Sequence, residues 1–443
     1  MYMHHLPVII SYLLPDRHLS PLYLFRGKKN SRVMMMSNCL VNHKNFSLGS
    51  FYFRYHRLHY LLDTREGRNK WGRTNIRSYY QSTKVLTAFI GVWPYQTNRE
   101  AFPYRCLCFV GYMGVIVPQL LALRHYYNDA PLVIESVSVF LIDTTFLCGA
   151  CTFFFKFDKM REILDRMSEN WRTFPPREGP ELQGMAIFYA GGTFATGVIF
   201  TTKSIQVRMI YRLIGENTSS VPQFYMPLEY PMIDVDKYYI PIMFSVITSV
   251  TIMLVMIVSY DLFFFIGTRH ACGLFAALGC YIDQTPENEE AFDHLKFFVQ
   301  IHDRAIKFTQ LLDETCLWSN MIFLAISALN ISIIGLQMVR RADRIGETVQ
   351  YAVYIILLLL RFFIICSFAQ ELINLSCNIE NCLRNIGWFN LSKKAKDLIR
   401  LGILKSQFPC TLSAGKTLVL SAELFLSATR ASASYMTVLV AMQ

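Results

Sequence analysis

The chain runs to 443 residues, of which 53% are hydrophobic and only 17% charged, with a mean hydropathy of +0.29 and a formal charge of +11. Water-soluble domains carry about 25% charged residues, so this balance excludes an ordinary soluble globule and points to a chain solvated by lipid. The positive charge does not indicate nucleic acid, because Lys and Arg cluster beside apolar segments and no RNA-binding or zinc-finger signature occurs; no phosphate loop, nucleophile elbow or metal cluster marks an enzyme, a metal or a cofactor.

Residues 1 to 84 are basic and irregular, with "RGKKNSR" and "TREGRNKWGR" and no sustained periodicity. Leu6 to Leu14 resembles the apolar part of a signal peptide. Two histidines stand where charged residues belong, however, and Asp16 and Arg17 follow in place of a small-residue cleavage site, so that reading is rejected. This segment reads as a cytosolic arm, or equally as a partial over-extension of the gene, since Met34, Met35 and Met36 offer internal starts.

A bilayer core about 30 Å thick requires about 20 mainly apolar helical residues. Seven segments of the domain over residues 85–443 meet that length: 106–123, 132–155, 185–202, 240–266, 317–338, 351–368 and 417–442. The third is rich in Gly and Ala, which favours close helix approach, and the fourth opens on Pro241, tolerated in a first helical turn. The seventh is the most polar, with Glu423 and Arg430 inside it, and is allowed only where protein or water shelters one side. These two charges lie two turns apart, and a structural polar pair is favoured over a conduction role.

With the N-terminus inside, the inner segments hold 24 Lys and Arg against eight in the outer loops, which favours N-inside, C-outside. The fold class is therefore an all-α membrane protein of seven spans without a disulfide framework, its twelve cysteines falling in apolar runs or inner segments. Cys148 and Cys151, in "CGAC", have redox or metal spacing but lack charged or His neighbours and read as small packing residues. Of the N-x-S/T sites, only Asn217 falls where glycosylation could occur. The orientation opposes a G-protein-coupled receptor, as do the absence of an outer-loop cysteine, of "DRY" after the third span and of "NPxxY" in the seventh. No internal repeat of broken spans suggests a transporter.

Several strings then converge: "FIGVWPYQ" (Phe89 to Gln96), "HACGLFAALGCYI" (His270 to Ile282), the block from Trp388 with "KSQFPCTLSAGK", and "SYMTVL" (Ser434 to Leu439). Together they resemble the insect odorant receptors over roughly residues 85–443. The "KSQFP" and "SAGK" block argues against a gustatory receptor of the same superfamily. The resemblance implies a subunit of an odorant-gated, non-selective cation channel in the plasma membrane of olfactory sensory neurons. Its partners would be a small volatile odorant, the lipid bilayer and a co-receptor subunit in a hetero-tetramer, with no nucleic acid.

On a helix, Ser427, Ala431, Ser434, Val438 and Ala441 or Met442 form one stripe, small and hydroxylated until its apolar outer end. The resemblance implies that this span lines the pore with a gate at Val438 and Met442, and that co-receptor subunits place a glutamine where Ala441 stands. Helix packing accounts for the stripe equally well. In the family the odorant pocket lies in the outer half among spans two, three, four and six. The orientation then selects Ser136, Val137 and Phe140; Phe194, Gly197 and Phe200; Met243, Phe244 and Ile247; and Tyr351 and Tyr354, with core or lipid contact as the alternative for each. The loop "YMPLEYPMIDVDKYYIP" between spans three and four is a lid, a cation attractor or a solvated loop. The amphipathic segment with Leu295, Phe298, Ile301, Ile306 and Leu311 reads as an inward extension of spans four and five, where family subunits meet.

Overall fold

A computed structural model describes residues 83–173, 179–214, 224, 226–231, 233–235, 237–340 and 345–441. The expected arm up to residue 82, the glycosylation site Asn217 and the gate residue Met442 lie outside the described residues. Among the described residues, a helical stretch over 83–89 is followed by α1 (Asn98–His125), α2 (Ala130–Phe155), α3 (Phe157–Thr173), α4 (Gly179–Thr201), α5 (Lys203–Ile214), α6 (Tyr239–Ile282), α7 (Ala291–Arg340), α8 (Ile345–Arg384), α9 (Lys393–Ser406) and α10 (Ala422–Ala441). A hairpin of β1 (Ser413–Ala414) and β2 (Leu418–Val419) precedes α10.

Local chemistry sets several helix starts. Thr97 accepts from the Glu100 amide at 3.4 Å while Glu100 Oε2 accepts from the Thr97 amide at 3.2 Å, a reciprocal cap that opens α1. Asp129 accepts from the Leu132 amide at 3.3 Å at the head of α2, and Ser392 does the same for Ala395 at the head of α9. Before α1, the "GVWP" turn needs its glycine. Gly91 has φ +72°, and a Cβ there would stand 2.6 Å from the Ala101 carbonyl oxygen.

Among the described residues, five helices are long and apolar enough to cross a membrane: α1, α2, α6, α7 and α8. The third and seventh expected spans correspond to α4 and α10, with 23 and 20 residues. Twenty helical residues reach about 30 Å, so length suffices for both. Glu423, Arg430 and the serines and threonines dilute the apolar surface of α10. This helix also starts at Ala422 rather than at 417, because residues 413–419 form the hairpin. Gly415 and Lys416 turn it with φ of +65° and +66°, and a Cβ on Gly415 would run into the Met321 thioether.

The core is organised around α6. From Ile252 to Gly267 it is buried on every side, which an apolar helix tolerates only when wrapped by others, here α1, α2, α4, α7 and α8. At 44, 50 and 40 residues, α6, α7 and α8 reach about 60–75 Å, roughly twice a bilayer core. Their far ends pack together through Leu278, Leu295, Phe298 and Ile301, all buried, with Leu311 buried and Ile306 half-buried as the amphipathic spacing expects. Each such side chain contributes about 1.5–3 kcal/mol of burial. Helix α9 closes this end, with Gly402 set against Leu383 and Phe298, and Lys405 bonded to Asp303 at 2.8 Å.

Candidate ligand site and gate helix

Of the residues expected in the outer pocket, Ser136 on α2 and Met243 on α6 are buried. Val137, Phe140, Phe194, Gly197, Phe200, Ile247, Tyr351 and Tyr354 are half-buried. The rings of Phe200 and Tyr354 meet edge to face at 5.7 Å, joining α4 to α8. Gly197 lies against Leu254, bringing α4 onto α6, and Phe140, Phe194 and Ile247 pack on the same core as Met243. Phe244 does not join them. It is 73% exposed, because one step along a helix turns a side chain by about 100° from its buried neighbour Met243.

The loop before α6 folds inward over this region. Phe224, Met226 and Leu228 are buried, the Glu229 amide donates to the Pro118 carbonyl at 3.2 Å, and Met226 Sδ accepts from Gln119 Nε2 at 3.0 Å. Beneath it, Gln119 on α1 donates to Asp143 on α2 at 2.6 Å, both side chains being buried.

Deeper in the bundle lies an arrangement that sequence reasoning missed. Arg361 on α8 donates through Nε and a terminal nitrogen, each at 2.8 Å, to the two carboxylate oxygens of Asp261 on α6. Tyr189 on α4 donates its hydroxyl to the same carboxylate, and the guanidinium lies 4.7 Å from the centroid of the Phe323 ring on α7. Four helices thus meet at one ion pair whose side chains are only 14% and 1% exposed. The available signal was a lone arginine in "LLLLRFF" and a lone aspartate in "SYDLFFF", since a charge at membrane depth needs a partner.

Beside this pair, a small cleft opens between α7, α8 and the segment just before α10, lined by Asn320, Phe323, Ser327, Arg361, Phe362 and Leu420. A second shares Ser327 and Phe362 with it and runs along α10 to Ser432. Both lie behind α10, away from the expected outer pocket.

Helix α10 has two unlike sides. Leu424, Phe425, Ala428, Thr429, Ser432 and Met436 are buried or half-buried against α7 and α8. Phe425 meets the rings of Phe362 and Phe363 at 5.3 and 5.4 Å, the Ser332 hydroxyl donates to the Ser432 carbonyl at 3.2 Å, and Met436 fills the space over Gly335. On the other side Ser427, Ala431, Ser434, Val438 and Ala441 are all exposed. The stripe is therefore not what holds α10 to its own subunit. Glu423 and Arg430 also lie exposed rather than forming the expected polar pair. Seven residues separate them by about 10 Å along the axis, beyond direct contact.

These features define a multi-pass, mainly helical membrane protein built around one long buried helix. The family model described as 7tm Odorant receptor matches residues 129–433, and the chain belongs to that family. It is 20% identical over 156 residues to odorant receptor 67c of Drosophila melanogaster, covering 34% of this chain and 38% of that one. It is 23% identical over 150 residues to the odorant receptor coreceptor of Aedes aegypti, covering 33% of this chain and 30% of the relative. The chain thus spans little more than a third of the length of these curated relatives. The fold is that of the insect olfactory receptor OR5 from Machilis hrabei. Its structure in complex with eugenol superposes with a TM-score of 0.68 at 14% identity, over 83% of this chain and 98% of that one. A second structure of the same receptor gives 0.65 at 14% identity, over 83% of this chain and 99% of that one.

Proposed function

We propose that this chain is an odorant receptor subunit that binds a small volatile hydrophobic ligand in the outer half of its bundle and gates a non-selective cation channel together with a co-receptor subunit. In this reading seven helices cross the plasma membrane of olfactory sensory neurons, with α4 and α10 as the third and seventh spans, the N-terminus inside and the C-terminus outside. Residues 1–84 form the cytosolic arm and Asn217 carries a glycan on an outer loop. Ser434, Val438, Ala441 and Met442 face the conduction path, and the half-buried residues of α2, α4, α6 and α8 named above line the odorant pocket.

The observation that carries this reading is the two-sidedness of α10. One side packs on α7 and α8, while the other carries the exposed stripe of Ser427, Ala431 and Ser434, whose hydroxyls suit water, beside the exposed Leu426 and Tyr435. In this reading four such helices around an axis form a wet vestibule, and Val438, which is 54% exposed, narrows its outer end with an apolar ring that gates by dewetting.

Cysteine accessibility tests it. Ser434→Cys and Val438→Cys are expected to let an externally applied, membrane-impermeant thiol reagent cut the odorant-evoked current, while Ala428→Cys leaves it unchanged. Equal sensitivity on both sides of α10 would remove the pore assignment.

A further inference from the structure

We infer that the outer pocket selects odorants carrying one hydrogen-bond donor, a hydroxyl or an amine, received by the buried acceptors of Asp143 and Gln119 under the Met226 lid. This rests on the reading of that region as the odorant site and adds to it the chemistry of the ligand's polar head.

Asp143, 4% exposed, makes one hydrogen bond among the described residues, from Gln119 Nε2, and no ion pair. A carboxyl group inside an apolar bundle without a cation is expensive to keep unless something supplies further donors. Gln119 has none left, because its amide nitrogen serves both Asp143 and Met226. The carboxylate fixes which way that amide points, and the amide oxygen is left buried with no partner. The Ser136 hydroxyl, also buried and unpartnered, lies two turns and about 10 Å away on the same helix and is not part of this pair of acceptors.

What remains unsatisfied is therefore dominated by acceptors. A ligand that brings a donor completes the cluster, and one of equal shape without it leaves the acceptors orphaned. The surroundings suit a small molecule: Tyr354 lies within electrostatic range of Asp143, and its ring against Phe200 offers an apolar wall. The lid residue is a methionine, whose flexible thioether moves aside and repacks at low cost.

The test applies straight-chain and aromatic alcohols, the corresponding primary amines and the methyl ethers of the same alcohols to the full chain co-expressed with the co-receptor. Alcohols or amines are expected to activate at half-maximal concentrations at least about tenfold below their ethers, the size of one hydrogen bond to a charged group. Amines leading at neutral pH mark charge pairing with Asp143, and alcohols leading mark a neutral hydrogen bond; either supports the inference. Asp143→Asn, which keeps the bond from Gln119, is expected to bring the ethers within about threefold of the alcohols. If that variant fails to reach the surface, Asp143→Leu combined with Gln119→Leu, which removes both acceptors together, serves as the second, with the gap again narrowing. Ethers as potent as alcohols on the unaltered chain, or a gap that survives both variants, overturn the donor preference while leaving the odorant-gated channel intact. Silence to this panel and to a broader one, with the chain at the surface, overturns both.

Discussion

Removing Arg361 is the sharpest probe of what holds the bundle together. Arg361→Met keeps the apolar stem and deletes the guanidinium, leaving Asp261, 1% exposed, with only the Tyr189 hydroxyl. Breaking a buried pair from one side costs about 3–5 kcal/mol, because the remaining charge stays uncompensated. The bidentate geometry at 2.8 Å and the contact with Phe323 place this pair at the upper part of that range. At roughly 2 °C per kcal/mol for a chain of this size, the detergent-solubilised protein should melt on the order of 5–10 °C lower. Asp261→Leu should act similarly. The double variant Asp261→Leu with Arg361→Met should recover most of the loss, since exchanging both charges for apolar side chains is close to neutral and leaves only the Tyr189 hydroxyl, about 1 kcal/mol, unserved. Fluorescence-detected size-exclusion after a temperature series reads all four proteins. A single variant that melts within a degree of the unaltered chain, or a double variant no better than either single one, would refute the reasoning.

At the gate, Val438→Ser should raise the current in the absence of odorant or alter ion selectivity by wetting the constriction; unchanged leak and selectivity would return Val438 to a packing role. Gly415→Val forces a side chain into a left-handed backbone and against Met321, so the hairpin ahead of α10 should loosen by about 1–3 kcal/mol, read as a lower melting temperature. A melting curve unmoved by it would mean that the hairpin does not brace the chain. Asn217→Gln should abolish an endoglycosidase-sensitive shift on a gel. A chain that shows no such shift before substitution would argue against an outer position for that loop.

The sequence made the apolar spans legible because five of them are long runs of Leu, Ile, Phe and Val that no soluble helix would carry. The α10 stripe was legible too, since a period of 3.6 depends on spacing alone. Its partner surface was not, because Gly335, Ser332 and Phe362 lie about a hundred residues or fewer away in other helices and only the fold brings them to α10. The same holds for Arg361, Asp261 and Tyr189, each inside a run that hydropathy averages into a span. Topology selected outer half-helices for the expected pocket, yet could not tell the buried Met243 from the exposed Phe244, which differ by one step of rotation. The hairpin at 413–419 escaped because its turn uses Gly-Lys, with a non-glycine residue at positive φ, rather than a familiar Asn-Gly pair. The buried loop residues Met226 and Leu228 sit in a Pro- and Tyr-rich segment whose composition alone suits a solvated surface equally well.

The central claim is that this chain turns odorant binding into ion flow with a co-receptor. Whole-cell current from cells expressing the full chain with and without the co-receptor, under a broad panel of volatile compounds, addresses it most directly. Odorant-evoked cation current that requires this chain, and whose odorant preference it sets, is the expected result. Silence across the panel, with the chain shown to be at the cell surface beside the co-receptor, would contradict the account.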